Sequence, residues 1–315
     1  MQSVPMTEHH PLLVIVGPTA VGKTEIAVKL AREFNGEIIS ADSRQVYRYM
    51  NIGTAKPTAR EQEAAQHHLI DILNPDEELS LAQFQELAYR AINSISGRGH
   101  LPILVGGTGQ YVRAVVEGWG IPEVPPQSQL RVDLEAFAES YGATALHARL
   151  AQLDPEAATA IDWRNIRRVV RAIEVCVVSG RPISKLQQRN PPPYRILILG
   201  LTRNRDELYR RLDERIEYMI ETGLVRETQS LLDQGYTFRL ASMSTLGYPE
   251  VGAYLRGEFA REEMVAAIKG GTRRFVRHQY NWFQLDDTNI RWFNLSQENH
   301  DGLACLVHKW LAASS

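Results

Sequence analysis

The sequence predicts an α/β protein built on a parallel sheet, and three observations carry that reading. Short apolar runs alternate with stretches of helical periodicity, the order that produces strand–helix–strand crossovers. An octapeptide, GPTAVGKT at 17–24, stands where the first apolar run hands over to the first helical stretch. Between Tyr111 and Tyr194 the apolar runs stop, and amphipathic helical patterns fill the gap. The expected architecture is therefore a P-loop NTPase-like parallel sheet core with a helical insertion domain and a mostly helical C-terminal segment.

The apolar runs are LLVIV (12–16), EIIS (37–40), HLIDIL (68–73), PILV (102–105) and RILILG (195–200), each read as a strand. Helical patterning falls between them, as in KTEIAVKLAREF (23–34) and LSLAQFQELAYRAINSI (79–95). Proline-rich punctuation, GWGIPEVPPQS (118–128) and RNPPPYR (189–195), brackets the strand-free stretch and marks an insertion. This divides the chain into residues 10–117 as the first part of the core and 118–193 as the insertion. Residues 194–315 complete the core and add C-terminal helices.

Composition narrows the class. With 44% hydrophobic and 23% charged residues, the chain is an ordinary globular protein. Its apolar runs are too short to span a bilayer. MQSVPMTEHHP at the N-terminus carries no basic segment followed by an apolar one, so a cytoplasmic protein is expected, without a membrane partner and as a monomer. Cys176 and Cys305 are too few for a disulfide framework or a four-cysteine metal site. A net charge of −2 hides local clusters. RNIRRVVR (164–171) has no acids and reads as a basic binding face, whereas RNRDELYRRLDER (203–215) interleaves acids and reads as intrahelical ion pairs.

GPTAVGKT fits G-x-x-x-x-G-K-[ST] in the strand-to-helix context that the motif requires. Gly17, Pro18, Thr19, Ala20, Val21 and Gly22 would bring backbone N–H groups to phosphate oxygens at a helix N-terminus. Lys23 would add a full charge, and Thr24 a hydroxyl for Mg²⁺. The strand PILV ends in GGTG rather than in the acid of a motor-type NTPase. Asp42, in EIISADSRQ, is the acid at a strand end near the loop, where ligands of parallel sheets sit. From the residues alone it is a metal ligand, a general base or a cap. The site suits a small-molecule kinase or another group transferase better than a motor.

Longer segments narrow the choice. GPTAVGKT, ADSRQVYRYMNIGTAKP (41–57), HHLIDIL (67–73), VGGTGQYVRAV (105–115), RRVVRAIEV (167–175), LGYPE (246–250) and RRFVRHQYNWF (273–283) resemble, in order and spacing, the tRNA dimethylallyltransferases. The resemblance implies transfer of a dimethylallyl group from dimethylallyl diphosphate to N6 of the adenosine beside the anticodon, position 37, in tRNAs reading codons that begin with U. It implies that the P-loop holds the donor's diphosphate with Mg²⁺, and that Lys23, Asp42 and Thr108 serve the chemistry. Asp42 then reads as general base, with metal ligand as the alternative. Arg273 is expected on the diphosphate. Ser43, Arg44 and Gln45 are expected on the tRNA, as are Asn165, Arg167, Arg168 and Arg171 of the insertion. Gly247, Tyr248, Arg277 and Gln279 complete that set. Where the family usually has arginine, this chain has His278. The rivals are an adenylate isopentenyltransferase acting on AMP, ADP or ATP, and a P-loop small-molecule kinase.

Overall fold

A computed structural model describes residues 10–297 and 301–313; the first nine residues of the N-terminal stretch read above for a leader lie outside the described residues. The chain divides into two compact units, one made of the residues up to Val116 together with those from Pro193, the other of Glu117–Pro192.

The first unit opens with β1 (His10–Val16), α1 (Lys23–Glu33), β2 (Gly36–Ser40), α2 (Ala59–Ala64), β3 (His67–His68), α3 (Leu81–Gly97), β4 (Leu101–Gly106) and α4 (Gly109–Glu117). In the second unit lie α5 (Ser128–Tyr141), α6 (Ala143–Leu153), α7 (Pro155–Ala160), α8 (Ile166–Ser179) and α9 (Ile183–Leu186). The first unit resumes with β5 (Tyr194–Thr202), α10 (Arg205–Thr222), α11 (Leu224–Asp233), α12 (Tyr248–Leu255), α13 (Arg261–Trp282), β6 (Ile290–Asn294) and α14 (Asp301–Ala312).

Among the described residues the sheet has six strands in the order β3-β2-β4-β1-β5-β6, all parallel. Alternation along β1 explains its two-sided burial. Leu13 and Ile15 face the layer of α1, α10 and α13, while Leu12, Val14 and Val16 face α3 and α4, and all five are fully buried. On the second face Phe84 of α3 stacks on Tyr111 of α4, ring centroids 3.8 Å apart. Ser80 starts α3 with a capping box: its hydroxyl accepts the Gln83 N–H and Gln83 Oε1 accepts its own.

One strand expectation is corrected, and one strand appears that the sequence did not announce. Of HLIDIL only His68 joins the sheet, as part of the two-residue β3 with His67, and Leu73 makes an isolated parallel bridge to Tyr47. Between them Leu69 and Asp71 take left-handed backbone (φ 61° and 55°), which interrupts the strand. The Asp71 carboxylate is drawn instead to the buried ammonium of Lys56, 2.5 Å away. In the C-terminal segment, read as mostly helical, IRWFN forms β6 on the edge beside β5. Its half-exposed aromatics gain a strand's geometry from β5 rather than from a buried pattern of their own.

In the helical unit Leu146, Leu150 and Val169 are wholly buried, and beside them lies the Glu174 carboxylate with no exposed surface. It accepts from Arg131 (2.8 and 2.9 Å), from Arg171 (2.6 Å) and from the Gln127 N–H (2.7 Å). Burial works to raise its pKa, but these donors overcome it and hold the group at about 2. The Glu117–Pro192 unit is clasped at its base, where Gly118 O accepts from the Asn190 N–H and Gln188 O from the Gly120 N–H, 2.7 Å each. No helix among the described residues is long and apolar enough to cross a membrane.

Candidate active site

The carboxyl ends of β1, β2 and β4 deliver three loops to one cleft of about 1260 Å³. That is more room than one small ligand needs. The first loop requires glycine at Gly17, where φ is 147° and a Cβ would sit 2.4 Å from Leu201 O. Gly22, at φ 109°, caps α1 and turns Lys23 and Thr24 into the cleft. Lys23 Nζ folds back to donate to Gly17 O (3.0 Å) and Pro18 O (2.9 Å). Burial lowers its pKa to about 8, with Asp42 opposing the shift and Arg215 adding to it.

Asp42 follows β2, and the N–H groups of Arg44 (2.8 Å) and Gln45 (3.4 Å) donate to its Oδ1. Among the described residues Oδ2 accepts no hydrogen bond, although the residue lines the cleft. The turn therefore uses one carboxylate oxygen and leaves the other available. Thr108, from the loop after β4, accepts the Ser43 N–H on Oγ1 (3.1 Å) and so ties the second loop to the third. Gly106 is needed at their crossing, since a Cβ there would meet Ala41 O at 2.1 Å.

Several residues expected on the tRNA also brace the protein, and of these Arg44, Gln45 and Gln279 line the cleft. Gln45 Oε1 accepts from Ser40 Oγ (3.0 Å), while its Nε2 donates to Ala55 O (3.1 Å) and Thr54 O (3.5 Å). Both ends of its amide are spent on the protein. Gln279 is buried, accepting the Thr19 N–H (2.8 Å) and donating to Gly107 O (3.1 Å), so it joins the first loop to the third. Arg44 donates to Ala241 O (2.6 Å). Tyr248 is wholly buried and offers no ring face for a base to stack on, whereas Gly247 lines the cleft. Ser43 also lines it, and so does His278.

Arg273, expected on the diphosphate, is not among the cleft residues. It donates to Asp213 Oδ2 (2.5 Å) and lies over the Tyr209 ring. Arg277 is on this side too; although burial opposes it, hydrogen bonds from Arg277 and Arg205 pull the Tyr209 pKa below its ordinary value. The cations that α10 does send to the cleft are Arg211 and Arg215, four residues apart on one face. Arg211 donates to Ala20 O (3.2 Å). Arg215 has no hydrogen bond or ion pair among the described residues, and burial lowers its pKa against the pull of Asp42 and Glu61. Sequence reasoning missed both because acids interleave in 203–215. Three of those acids pair with other arginines, Glu214 (which also lines the cleft) with Arg210, Glu207 with Arg203 and Asp213 with Arg273, which leaves Arg211 and Arg215 without an acidic partner among the described residues. The signal was the i, i+4 spacing of the two arginines.

In the helical unit Asn165 Oδ1 accepts the Arg168 N–H (3.2 Å) and caps α8. Arg167 and Arg168 are exposed without an ion pair among the described residues, while Arg171 is held by Glu174. For a divalent ion the cleft supplies hard oxygens, the Thr24 hydroxyl and the free oxygen of Asp42. The described residues hold no cluster of three or more His, Cys, Asp or Glu that could cage a metal. That sparse donor set fits Mg²⁺, which keeps waters and takes ligands from a substrate's phosphates.

A phosphate loop, an available carboxylate and two cationic side chains at the carboxyl ends of a parallel sheet define a P-loop group transferase. The family model for IPP transferase matches residues 45–286, and the chain belongs to that family. A tRNA dimethylallyltransferase from Chloroflexus aggregans is 56% identical over 273 residues, covering 87% of this chain and 92% of the relative. One from Roseiflexus sp. (strain RS-1) is 48% identical, covering 96% and 99%. Among solved structures, the full-length tRNA isopentenylpyrophosphate transferase from Bacillus halodurans is similar at 43% identity and TM-score 0.71, covering 97% of this chain and 96% of that one. A eukaryotic dimethylallyltransferase acting on tRNA is similar at 25% identity and TM-score 0.83, covering 96% and 80%.

Proposed function

We propose that this protein transfers a dimethylallyl group from dimethylallyl diphosphate to N6 of the adenosine at position 37, beside the anticodon, in tRNAs that read codons beginning with U. The observation that carries the chemistry is the Asp42 carboxylate, which keeps one oxygen free in the cleft that also holds Lys23 and Arg215. The allylic C–O bond breaks and its electron pair leaves with diphosphate. The N6 lone pair forms the new C–N bond, and the N6 proton passes to Asp42 Oδ2. Lys23, Arg215 and the amides of the 17–24 loop meet the charge that develops on the leaving group. Mg²⁺, held by Thr24 and substrate oxygens, would neutralise part of that charge.

Apolar side chains of Met219, Leu246, Ile268, Phe275 and Trp282 line the same cleft and suit a five-carbon prenyl chain. The cleft's volume accommodates donor and extruded base together. Exposed Arg167 and Arg168 supply charge for the RNA backbone. Incubation with radiolabelled dimethylallyl diphosphate and, separately, tRNA, AMP or ATP tests the reading. Label is expected in tRNA alone. Label in AMP or ATP, with none in tRNA, would establish the adenylate alternative.

A further inference from the structure

The wall of the cleft formed by residues 51–57 is held from behind by a carboxylate that does not itself line the cleft. Glu227, on α11, accepts three successive backbone N–H groups: Asn51 and Ile52 on Oε2 (2.8 Å each) and Gly53 on Oε1 (3.0 Å). The Tyr248 hydroxyl donates to the same Oε1 (2.8 Å). Burial, and after it the facing Glu227 charge, push the Tyr248 pKa far above its ordinary value, so this hydroxyl stays a donor. Gly53 lies flat on the tyrosine, where a Cβ would come within 2.5 Å of the ring. Four donors thus converge on one ionised acceptor, and such charge-assisted bonds are the stronger kind.

The held loop reaches the chemistry by a short path. Its carbonyls at Thr54 and Ala55 accept from the Gln45 amide, and the Gln45 N–H belongs to the turn that closes on Asp42 Oδ1. Lys56 extends the tie, donating to Asn51 Oδ1 (2.8 Å) and Tyr47 O (2.7 Å). We propose that Glu227 is a positioning residue for the prenyl acceptor, fixing Asp42 and the cleft wall beside it through residues 51–55 and Gln45. The inference rests on the transferase reading above. It assigns no contact between Glu227 and either substrate.

The test is Glu227→Gln, which keeps the side chain's size but leaves one acceptor oxygen for four donors. Hydrogen exchange at the Asn51, Ile52 and Gly53 amides is expected to speed up roughly tenfold or more, the scale of losing charge-assisted bonds. The single-turnover rate at saturating tRNA and donor should fall roughly ten- to a hundredfold, the effect of a small misplacement at the reacting atoms. Affinity for inorganic diphosphate should hold within about twofold, since the P-loop is untouched. Gly53→Ala displaces the same loop against Tyr248, and its effect on rate should not add to that of Glu227→Gln.

Unchanged exchange overturns the proposal, as does lost protection with an unchanged single-turnover rate. Diphosphate affinity falling in step with the rate would mean general loosening and overturns it as well. If Glu227→Gln does not fold, Tyr248→Phe keeps the ring, removes one donor and must lower the rate in the same way. Parent enzyme that never labels tRNA refutes the transferase reading, and with it the acceptor role. Normal parent turnover beside an unaffected Glu227→Gln refutes the positioning role alone.

Discussion

Asp42 divides its two oxygens between structure and chemistry, and substitution separates the two. Asp42→Asn retains an acceptor for the Arg44 and Gln45 N–H groups but cannot take up a proton at neutral pH. The single-turnover rate should fall about a hundredfold or more, with the melting temperature nearly kept. Rescue by added Mg²⁺, read in a magnesium titration, would assign Asp42 to the metal instead. Lys23 offers a pH signature. Its pKa of about 8 means that the free enzyme carries the charge below that pH and loses it above. Affinity for inorganic diphosphate should therefore weaken as pH rises through about 8 in the parent protein. Lys23→Arg, permanently charged, should show no break there, and calorimetry across that range compares them. Both residues were legible in the sequence because their roles rest on local context: a motif between strand and helix, and an acid at a strand end. Gln45 and Gln279 were not, because what a glutamine meets is settled by tertiary neighbours such as Ala55 and Gly107.

At the scale of the element, α10 shows why charge patterning read along a line misleads. Arginines 203, 205, 210, 211 and 215 share one stretch, yet Arg203, ahead of the helix, pairs with Glu207 and Arg210 with Glu214, while Arg211 and Arg215 turn to the cleft. Arg215→Ala should raise the KM for the prenyl donor and weaken inorganic diphosphate binding roughly tenfold or more, as loss of a partly desolvated ionic contact does. Arg273→Ala, which removes the partner of Asp213, should lower the melting temperature and leave diphosphate affinity alone. Equal losses of affinity in both would contradict the geometry. The segment holding Arg273 was recognisable by its motif, but the motif does not encode which face of α13 meets the cleft. β6 escaped notice for a related reason: IRWFN becomes a strand only where β5 offers an edge.

At the scale of the molecule, the ends of the strands opposite the cleft carry a second charged cluster. Glu37, in β2, accepts from Arg98, from His68 Nε2 (2.6 Å) and from His100 Nδ1 (2.6 Å), joining β2, β3 and the residues flanking β4. Burial works to raise its pKa, but Arg98 and the two histidines overcome it and bring it to about 2. A carboxylate with a depressed folded pKa adds stability that is complete above its unfolded value and is lost as pH falls toward the folded one. Melting temperature should therefore drop between about pH 4.5 and 2, and Glu37→Gln should flatten that limb while lowering stability at neutral pH. The sheet core itself was readable from apolar runs, since strands covered on both faces leave continuous hydrophobic stretches in the sequence.

The strand order also imposes a timetable on synthesis. β1 emerges from the ribosome early and pairs with β4 on one side, but its other neighbour, β5, begins only at Tyr194. Until then the centre of the sheet has an open edge, and Leu13 and Ile15 lack the part of their cover that α10 and α13 supply. In the interval the Glu117–Pro192 segment is made, and its local helical contacts let it collapse fast. The half-built sheet meanwhile exposes apolar surface of the kind that chaperones bind. Nascent chains halted short of β5 should accordingly be aggregation-prone, and release should come with the strand that closes β1.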